Sequence, residues 1–329
     1  MKQVTVFGGA GFIGRHLVAR LAAQGIAVRV AVRDAAGAGF LRPMGDVGQI
    51  TPVRANITNN DDVAAAVDGV DAVVNLVGIL FSRGRQGFEA IHRDGAARIA
   101  RKSKEAGVER LLHMSALGAS LRSPSRYAWS KAAGEEAVRE AFEGATIVRP
   151  SVVFGPDDDF FNRFAALARL LPALPVFGCP MPSFHDGAID IYGDGGTKFQ
   201  PVYVGDVADA MVTCFQRRDA VGKTYELGGP AVYSFKALMD LVLQVTDRKC
   251  LLMPVPFWVA SFQALFLELL PTPPLTRDQV TLLKSDNIVT GELPTLESLD
   301  VTPTAAEVIL PTYLDRFRRG GRFHGAQPA

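Results

Sequence analysis

Residues 127–131, YAWSK, place a phenol and an ammonium group four positions apart. On a helix, positions i and i+4 lie on the same face, so the side chains of Tyr127 and Lys131 would be neighbours. A free tyrosine titrates near pH ~10, and a nearby cation helps it to exchange protons at neutral pH. The spacing predicts either an acid–base pair or a pair that only holds a ligand. A tyrosine and a lysine also meet at this spacing by chance on many helices.

A second chemical motif, GGAGFIG, lies near the start of the chain and carries Gly8, Gly11 and Gly14. It follows an apolar run typical of a strand and opens a segment with helical periodicity. Glycines allow the backbone to approach a pyrophosphate, and a helix N-terminus supplies free N–H groups and a positive dipole end. We therefore expect a dinucleotide site here, to which Phe12 and Ile13 contribute from the first helical turn. The alternative is a glycine-rich turn that binds no ligand.

The residues that end the predicted second strand bear on which dinucleotide is bound. An NAD site usually has an acidic residue there, which binds the ribose 2′-hydroxyl. Here Arg33 ends the strand, Asp34 comes one residue later, and Arg15 follows the last glycine of the loop. Two guanidinium groups suit a 2′-phosphate, which they can bind bidentately. The sequence favours NADP(H) over NAD(H); the alternative is that both arginines are only solvated.

Further cofactor contacts are expected where other predicted strands end, because ligands of doubly wound sheets bind at the carboxyl ends of the strands. The expected residues are Asn56 and Ile57 near adenine, Leu76, Val77 and Gly78 at the cofactor edge of the fourth strand, and Pro150 and Ser151 after a later strand. Together with the glycine loop, Arg15, Arg33, Tyr127 and Lys131, they make up the predicted cofactor site.

The elements that must position these residues alternate through the first half of the chain. Strand-like runs, such as AVRVAVR, DAVVNLVG and RLLHMSA, are separated by segments with helical periodicity. This alternation is typical of βαβ units and predicts an α/β protein with a Rossmann-type, doubly wound parallel sheet. We expect the NADP(H)-binding domain over residues 1–155 and a smaller C-terminal α/β lobe over residues 156–329, with some of its segments interleaved with the first domain.

Bulk composition excludes several classes of protein. The 329 residues are 48% hydrophobic and 21% charged, as in a globular protein, and the net charge of +1 gives no basic footprint for binding nucleic acid. Three separated cysteines, without CxxC or Cys/His spacing, indicate reduced thiols and no metal site. The first predicted strand begins so early that we expect no secretory or transit segment before it.

The glycine loop, the alternating elements and YAWSK together resemble the short-chain dehydrogenase/reductase superfamily in its extended or atypical branch. The resemblance implies that Tyr127 exchanges a proton with a substrate, that Lys131 lowers the pKa of the tyrosine and holds the nicotinamide ribose, and that Ser115 polarises the reacting oxygen. Members often carry an asparagine that supports a proton-relay water in the helix after the fourth strand. Here His92 occupies that position, so the sequence departs from the pattern on which the relay depends.

Two longer stretches, SRYAWSKAAGEEAVREAFEGATIVRPSVVFGPDDDFFNRFA and KFQPVYVGDVADA, resemble the nucleotide-binding accessory subunit of respiratory complex I and its bacterial relatives. The likeness runs from the glycine loop to about TPTAAEV. It implies bound NADPH, a structural role among other complex I subunits, and a place on the peripheral arm near the quinone site and the membrane. The location implied is the cytoplasmic side of a bacterial inner membrane, or the matrix side in a mitochondrion.

Residues 251–271 are apolar apart from one charge, on Glu268. A helix from Phe257 to Leu270, roughly 14 residues, is too short to span a membrane, which takes about 20. A helix that is apolar nearly all round must be covered by something. We expect either packing in the core of the chain or contact with a partner or a membrane surface.

Three functions are compatible with these features. The favoured one is a non-catalytic accessory subunit of complex I that binds NADPH. The alternative is a soluble NADP-dependent reductase, epimerase or dehydratase that uses Ser115, Tyr127 and Lys131. A regulator that senses the redox state of NADP(H) without reacting with it is a third.

Overall fold

The computed structural model describes residues 1–82, 84, 87–180, 183–185 and 188–321. The chain forms two compact units. Unit 1 contains residues 1–150, 204–227 and 290–302, and unit 2 contains residues 151–203, 228–289 and the chain from residue 303 onward. The chain therefore leaves unit 1 after Pro150 and returns to it twice.

A seven-stranded parallel sheet forms the centre of unit 1. With elements numbered along the whole chain, its strands are β1 (Gln3–Phe7), β2 (Ala27–Val32), β3 (Ile50–Arg54), β4 (Ala72–Asn75), β5 (Arg110–Met114), β6 (Thr146–Pro150) and β13 (Thr224–Leu227). The strand order is β13-β6-β5-β4-β1-β2-β3, with every pair parallel. The order reverses between β1 and β4, which is where ligands bind in doubly wound sheets. The predicted Rossmann-type parallel sheet is confirmed.

Helices of unit 1 cover this sheet with their apolar faces. They are α1 (Phe12–Ala23), α2 (Asn60–Val67), α3 (Ala96–Glu105), α4 (Arg126–Ala141) and α6 (Val204–Gln216), with short 3₁₀ turns at Gly37–Met44, Arg218–Ala220 and Glu297–Leu299. Strand residues such as Val73 and Leu111 pack with helix residues such as Ile99 and Val138 in one buried cluster. Burial of these apolar side chains is the main term that holds the helices against the sheet.

The segment before α3 is a π-helical turn, Glu89–Gly95, rather than the continuous helix that its periodicity predicts. Helix α4 packs directly on this turn: a Cβ added to Gly134 would lie only 2.2 Å from the carbonyl oxygen of His92. The glycine thus permits close backbone approach. Single π turns of this kind occur frequently at functional sites.

Unit 2 has its own core and several short strand pairs. Its strands are β7 (Val153–Phe154), β8 (Ala173–Phe177), β9 (Ser183–His185), β10 (Ala188–Asp190), β11 (Lys198–Phe199), β12 (Val202–Tyr203), β14 (Tyr233–Ser234) and β15 (Leu251–Val255), and its helices are α5 (Phe161–Leu170), α7 (Phe235–Thr246), α8 (Phe257–Leu267), α9 (Arg277–Leu282) and α10 (Ala306–Leu314), followed by a 3₁₀ turn, Asp315–Phe317. Phe154, Phe161 and Phe235 lie at the centre of its buried cluster.

The apolar segment 251–271 divides into a strand and a helix. Residues of β15 pair in parallel with β8, and α8 ends at Leu267, sooner than expected. The carboxylate of Glu268, the residue after the helix, accepts hydrogen bonds from the backbone and side chain of Arg277. Ala260 and Ala264 face the core, whereas Trp258 and Phe262 are 75% and 63% exposed. Among the described residues, no helix combines the length and the hydropathy needed to cross a bilayer.

Candidate dinucleotide-binding site

The glycine loop makes a tight turn between β1 and α1. Gly8 has φ +78°, a conformation that L side chains rarely adopt, and its N–H donates to the carbonyl oxygen of Ala31 at 3.1 Å. A Cβ on Gly14 would lie 2.5 Å from the Gly8 oxygen, and one on Gly11 would lie 3.2 Å from the same atom. The loop therefore depends on the absence of side chains at all three positions.

The first turn of α1 is open to an anion. Gly11 is the N-cap and offers no side-chain oxygen, and the turn contains no acidic residue. Phe12 and Ile13, both half-buried, belong to this turn. The free N–H groups and the positive end of the helix dipole suit a phosphate group. This cradle fits the pyrophosphate of a dinucleotide.

The two predicted arginines lie on the side of the loop nearest β2 and β3. The guanidinium carbon of Arg15 lies 5.4 Å from the ring centroid of Phe40, a cation–π contact that orients the arginine. Arg33 is exposed and lines an open depression together with Arg54, Asn56, Asn59 and Asp62. Asp34 is turned away, and its carboxylate accepts from the Gly37 N–H at 3.0 Å. No acid takes the place of Arg33 at the end of β2.

Asn56 and Ile57 take different environments. Asn56 is exposed, and its side-chain oxygen accepts from the Thr58 N–H at 3.1 Å. Ile57 is 6% exposed and packs in the core of unit 1, where a Cβ on Gly95 would touch it. Of the two, only Asn56 presents its side chain to the depression.

The residues after β4 lie against the glycine loop. A Cβ on Gly8 would meet the backbone of Leu76 at 3.3 Å and that of Val77 at 3.4 Å. The next residue, Gly78, is exposed, and a Cβ there would lie 3.3 Å from Nζ of Lys131. The structure thus brings the loop after β4, the glycine loop and the lysine of α4 together.

The Ser115, Tyr127 and Lys131 side chains lie at the ends of β5 and α4. Ser125 caps α4 by accepting from the Ala128 N–H, which sets Tyr127 in the first helical turn. Lys131 is 4% exposed; its Nζ lies 6.0 Å from the Tyr127 ring centroid and donates to the Met114 carbonyl at 3.2 Å. Ser115 is 3% exposed, and its Oγ has no hydrogen-bond partner within the described part of the chain. A buried hydroxyl without a partner is a group that a ligand could satisfy.

Burial changes the proton affinities of both titratable groups. It raises the pKa of Tyr127 to about 12 and lowers the pKa of Lys131 to about 8, the latter opposed by the Glu135 carboxylate. The family resemblance implied a lowered pKa for this tyrosine, whereas burial raises it here. A phenol with this pKa stays protonated at neutral pH and can hold a ligand by donating a hydrogen bond.

Pro150 and Ser151, although adjacent in sequence, are assigned to different units. Pro150 ends β6 in unit 1, where its carbonyl accepts from the Leu117 N–H at 3.0 Å. Ser151 belongs to unit 2, where its hydroxyl donates to the side-chain oxygen of Asn287 at 2.7 Å.

Sequence reasoning missed two residues that shape the site. Phe40, in the 3₁₀ turn after β2, contacts the guanidinium group of Arg15. The sequence feature that could have indicated this contact is an aromatic residue shortly after the predicted second strand. Ser130, inside YAWSK itself, links His92 to the backbone of α4. The sequence analysis assigned a chemical role to neither residue. Their roles depend on contacts that only the tertiary structure shows.

Comparisons with known proteins define the class and then the group. The family model "NAD dependent epimerase/dehydratase family" matches residues 4–228, and a UDP-glucose 4-epimerase of Thermus thermophilus, solved in complex with NAD, has a TM-score of 0.68 at 19% identity, covering 99% of this chain and 100% of that one. Mitochondrial NADH dehydrogenase (ubiquinone) 1 alpha subcomplex subunit 9 of Mus musculus is 36% identical over 95% of this chain and 80% of the relative. A ceramide reductase of Caulobacter vibrioides is 35% identical over 53% of each chain.

The chain therefore belongs to the NAD dependent epimerase/dehydratase family and, within it, to the group of nucleotide-binding accessory subunits of NADH:ubiquinone oxidoreductase. The predicted family is confirmed. The glycine cradle, the helix N-terminus without a side-chain cap and the buried Ser115 hydroxyl, which has no partner among the described residues, fit the nicotinamide dinucleotide of this family. That cofactor would supply hydride chemistry if a substrate reached it; the residues of this chain would bind and orient it.

Proposed function

We propose that this protein is an NADPH-binding accessory subunit of respiratory complex I and that the nucleotide has a structural role. The observation that carries the proposal is the 36% identity to a complex I subunit over 95% of this chain. Similarity over nearly the whole length includes unit 2 and does not depend on the glycine loop alone.

NADPH is the proposed form of the cofactor because cations lie where an NAD site has an acid. Arg33 is exposed at the end of β2, and Arg15 is held by Phe40. Asp34 is occupied by the Gly37 N–H and does not compete for the ribose hydroxyl. The test is Arg33→Ala. We expect NADPH affinity to fall about tenfold or more, because the substitution removes a charge-assisted hydrogen bond from the guanidinium to the 2′-phosphate. The affinity for NADH, which lacks this phosphate, should change little.

A place near the membrane is proposed from an exposed apolar surface formed by β15, α8 and the turn that follows α8. Its members are Leu251, Met253, Trp258, Phe262, Leu265, Phe266, Leu269 and Leu270, each at least 44% exposed. A large exposed apolar patch marks a surface that is covered in the assembly. With 11 residues, α8 is about 17 Å long, so it would lie on a membrane surface and not span it. The corresponding location is the cytoplasmic side of a bacterial inner membrane or the matrix side of a mitochondrial one.

Purification from native membranes tests the accessory role. The protein should co-migrate with complex I subunits after mild detergent extraction, and denaturation of that complex should release NADPH, identified by mass spectrometry. A protein that runs free of every complex I subunit would contradict the proposed role. Release of NAD(H) instead would contradict only the choice of nucleotide.

A second candidate function is an NADP-dependent reductase, epimerase or dehydratase. It is favoured by Lys131, whose Nζ lies near the Tyr127 ring and donates to the carbonyl of Met114, the residue before Ser115. It is also favoured by the 35% identity to a ceramide reductase over residues that make up 53% of this chain. The assay is substrate-dependent oxidation of NADPH across a panel of carbonyl compounds, with Tyr127→Phe as the control. Turnover that disappears in the variant would favour this function over the first.

A further inference from the structure

The imidazole of His92 lies at the centre of a chain of hydrogen bonds in unit 1. Its Nε2 lies 3.0 Å from the backbone nitrogen of Ile79, and its Nδ1 lies 2.8 Å from Oγ of Ser130. The Ser130 hydroxyl in turn donates to the carbonyl oxygen of Tyr127 at 2.8 Å. His92 is 2% exposed and Ser130 is fully buried, so water does not compete for these bonds.

In each of these hydrogen bonds, only one of the two groups can be the donor. A backbone N–H can only donate, so Nε2 of His92 must accept the bond from Ile79 and carry no proton. The neutral ring then has its proton on Nδ1 and donates it to Ser130. The carbonyl of Tyr127 can only accept, which assigns the serine proton as well. Burial, with Lys131 nearby, lowers the pKa of His92 to about 2, in agreement with a neutral ring.

Ring packing fixes the orientation of the imidazole. Phe88 stacks on it with a centroid distance of 5.5 Å and an interplanar angle of 24°. The Tyr127 ring meets it edge-on at 5.5 Å and 88°. The backbone beneath the ring is also held close to α4, because His92 belongs to the π-helical turn and Gly134 allows α4 to pack on the carbonyl of His92.

We propose that His92 is a positioning residue, a neutral clamp that ties the loop after β4 to the first turn of α4 and thereby sets the places of Tyr127 and Lys131 in the dinucleotide site. The loop in question carries Leu76, Val77 and Gly78, and a Cβ on Gly78 would lie 3.7 Å from the imidazole Nε2. This inference rests on the proposed nucleotide binding and deepens it.

The same bonds prevent the ring from relaying protons. A relay through imidazole must gain a proton on one nitrogen as it releases one from the other. Here the nitrogen that would gain the proton is held by the amide of Ile79, which does not give up its hydrogen. The arrangement therefore holds a nucleotide in place and supplies no path for protons to Tyr127.

The test compares two serines that are both buried in unit 1. Ser130→Ala removes the acceptor of the His92 proton, whereas Ser103→Ala removes a fully buried hydroxyl that has no partner among the described residues. For the full chain, we expect Ser130→Ala to raise the Kd for NADPH about five- to tenfold, as for loss of one buried hydrogen bond, while Ser103→Ala leaves it unchanged. Both titrations are made well below the thermal midpoint, so that a loss of stability alone does not alter the Kd.

The outcomes separate this inference from the proposed function. If the parent chain binds NADPH and Ser130→Ala binds it equally well, the clamp is wrong and the nucleotide site stands. If the parent chain binds no NADPH, both are wrong. Should Ser130→Ala fail to fold, ¹⁵N NMR of histidine-labelled parent chain decides, with the His92 signals assigned from His92→Gln: a proton on Nδ1 and none on Nε2 supports the clamp, and the opposite tautomer or a charged ring overturns it.

Discussion

At the scale of single residues, the site depends on where side chains are missing as much as on where they are present. Gly14 lies so close to Gly8 that any Cβ would displace the turn, and the Lys131 ammonium lies where a side chain on Gly78 would crowd it. Ser115 has a buried hydroxyl without a partner in the described chain. A buried hydroxyl without a partner costs stability in the free protein, which a bound ligand can offset.

Substitution Gly14→Ala should disrupt the cradle. The added Cβ would lie 2.5 Å from the Gly8 oxygen and 2.6 Å from the Gly9 Cα, both backbone atoms that cannot rotate away. We expect a loss of about 1–3 kcal/mol in the free energy of unfolding, as for overpacking, together with loss of NADPH binding. Urea denaturation and a nucleotide titration measure the two effects. Gly39→Ala is the control, because a Cβ there meets nothing within 4 Å; equal effects of both substitutions would contradict the steric explanation.

Lys131 should make the stability of the nucleotide-free protein depend on pH. Burial lowers its pKa from 10.5 in the unfolded chain to about 8, so between these values the unfolded chain binds more protons than the folded one. The contribution of Lys131 to the free energy of unfolding must therefore rise with pH across that window, by about 2–3 kcal/mol in all. The measurement is the difference in free energy of unfolding between the parent chain and Lys131→Met from pH 7 to 10.

The matched control for this titration is the exposed Lys104, whose substitution by Met should give a difference that stays constant over the same range. If the difference for Lys131→Met is constant as well, burial does not lower the pKa of Lys131 in the folded chain.

At the scale of elements, the π-helical turn Glu89–Gly95 and the helix α8 bear most directly on the proposed functions. The first lets His92 reach both the loop after β4 and the start of α4. The second buries Ala260 and Ala264 and leaves large apolar side chains on the opposite face. The first thus lies inside the candidate site, and the second carries the surface that we propose to be covered in the assembly.

Replacement of Trp258, Phe262 and Phe266 together by serine tests that surface. These side chains are 75%, 63% and 57% exposed, so the stability of the chain should change by no more than about 0.5 kcal/mol per site. Binding to phospholipid vesicles, measured by co-sedimentation, should fall to the background level, because the apolar area that enters the interface is lost. Val308→Ser, at a 63% exposed position of α10, is the control and should bind vesicles as the parent does. Unchanged sedimentation of the triple variant would exclude α8 as the membrane contact.

At the scale of the whole molecule, the chain passes between its units more than once. Segments 204–227 and 290–302 return to unit 1, where β13 extends the central sheet and the Thr290 N–H donates to the buried Glu226 carboxylate. A nucleotide bound to unit 1 would therefore bind a unit that is assembled from three stretches of chain. A ligand that binds only the folded form must stabilise all of them together.

Addition of NADPH should raise the midpoint of thermal unfolding. At a thousandfold excess over Kd the stabilisation is about 4 kcal/mol, which corresponds to roughly 10 °C for a domain of this size. NADH at the same concentration should give a smaller shift, and Arg33→Ala should bring the NADPH shift down to that of NADH. Differential scanning calorimetry measures all four combinations. Equal shifts for the two nucleotides in the parent chain would contradict the role of Arg33.

Local sequence patterns were sufficient to predict the central sheet and the family of this protein. The parallel sheet followed from alternating apolar runs and helical periods, and the family followed from GGAGFIG, YAWSK and the longer stretches around them. These features are readable because hydrophobic periodicity and glycine spacing act over one or two turns of chain. The position of Lys131 one turn after Tyr127 needed only the geometry of a helix.

The tertiary structure alone decided the features that depend on residues distant in sequence. His92 and Ser130 are 38 positions apart, and the hydrogen bond between their side chains forms only in the folded chain. Burial set the pKa of Tyr127 above its ordinary value although the sequence placed a cation beside it. Likewise, one face of α8 became core and the other remained exposed, which an all-round apolar pattern cannot distinguish. Burial and pairing are properties of the packed chain, and no local spacing encodes them.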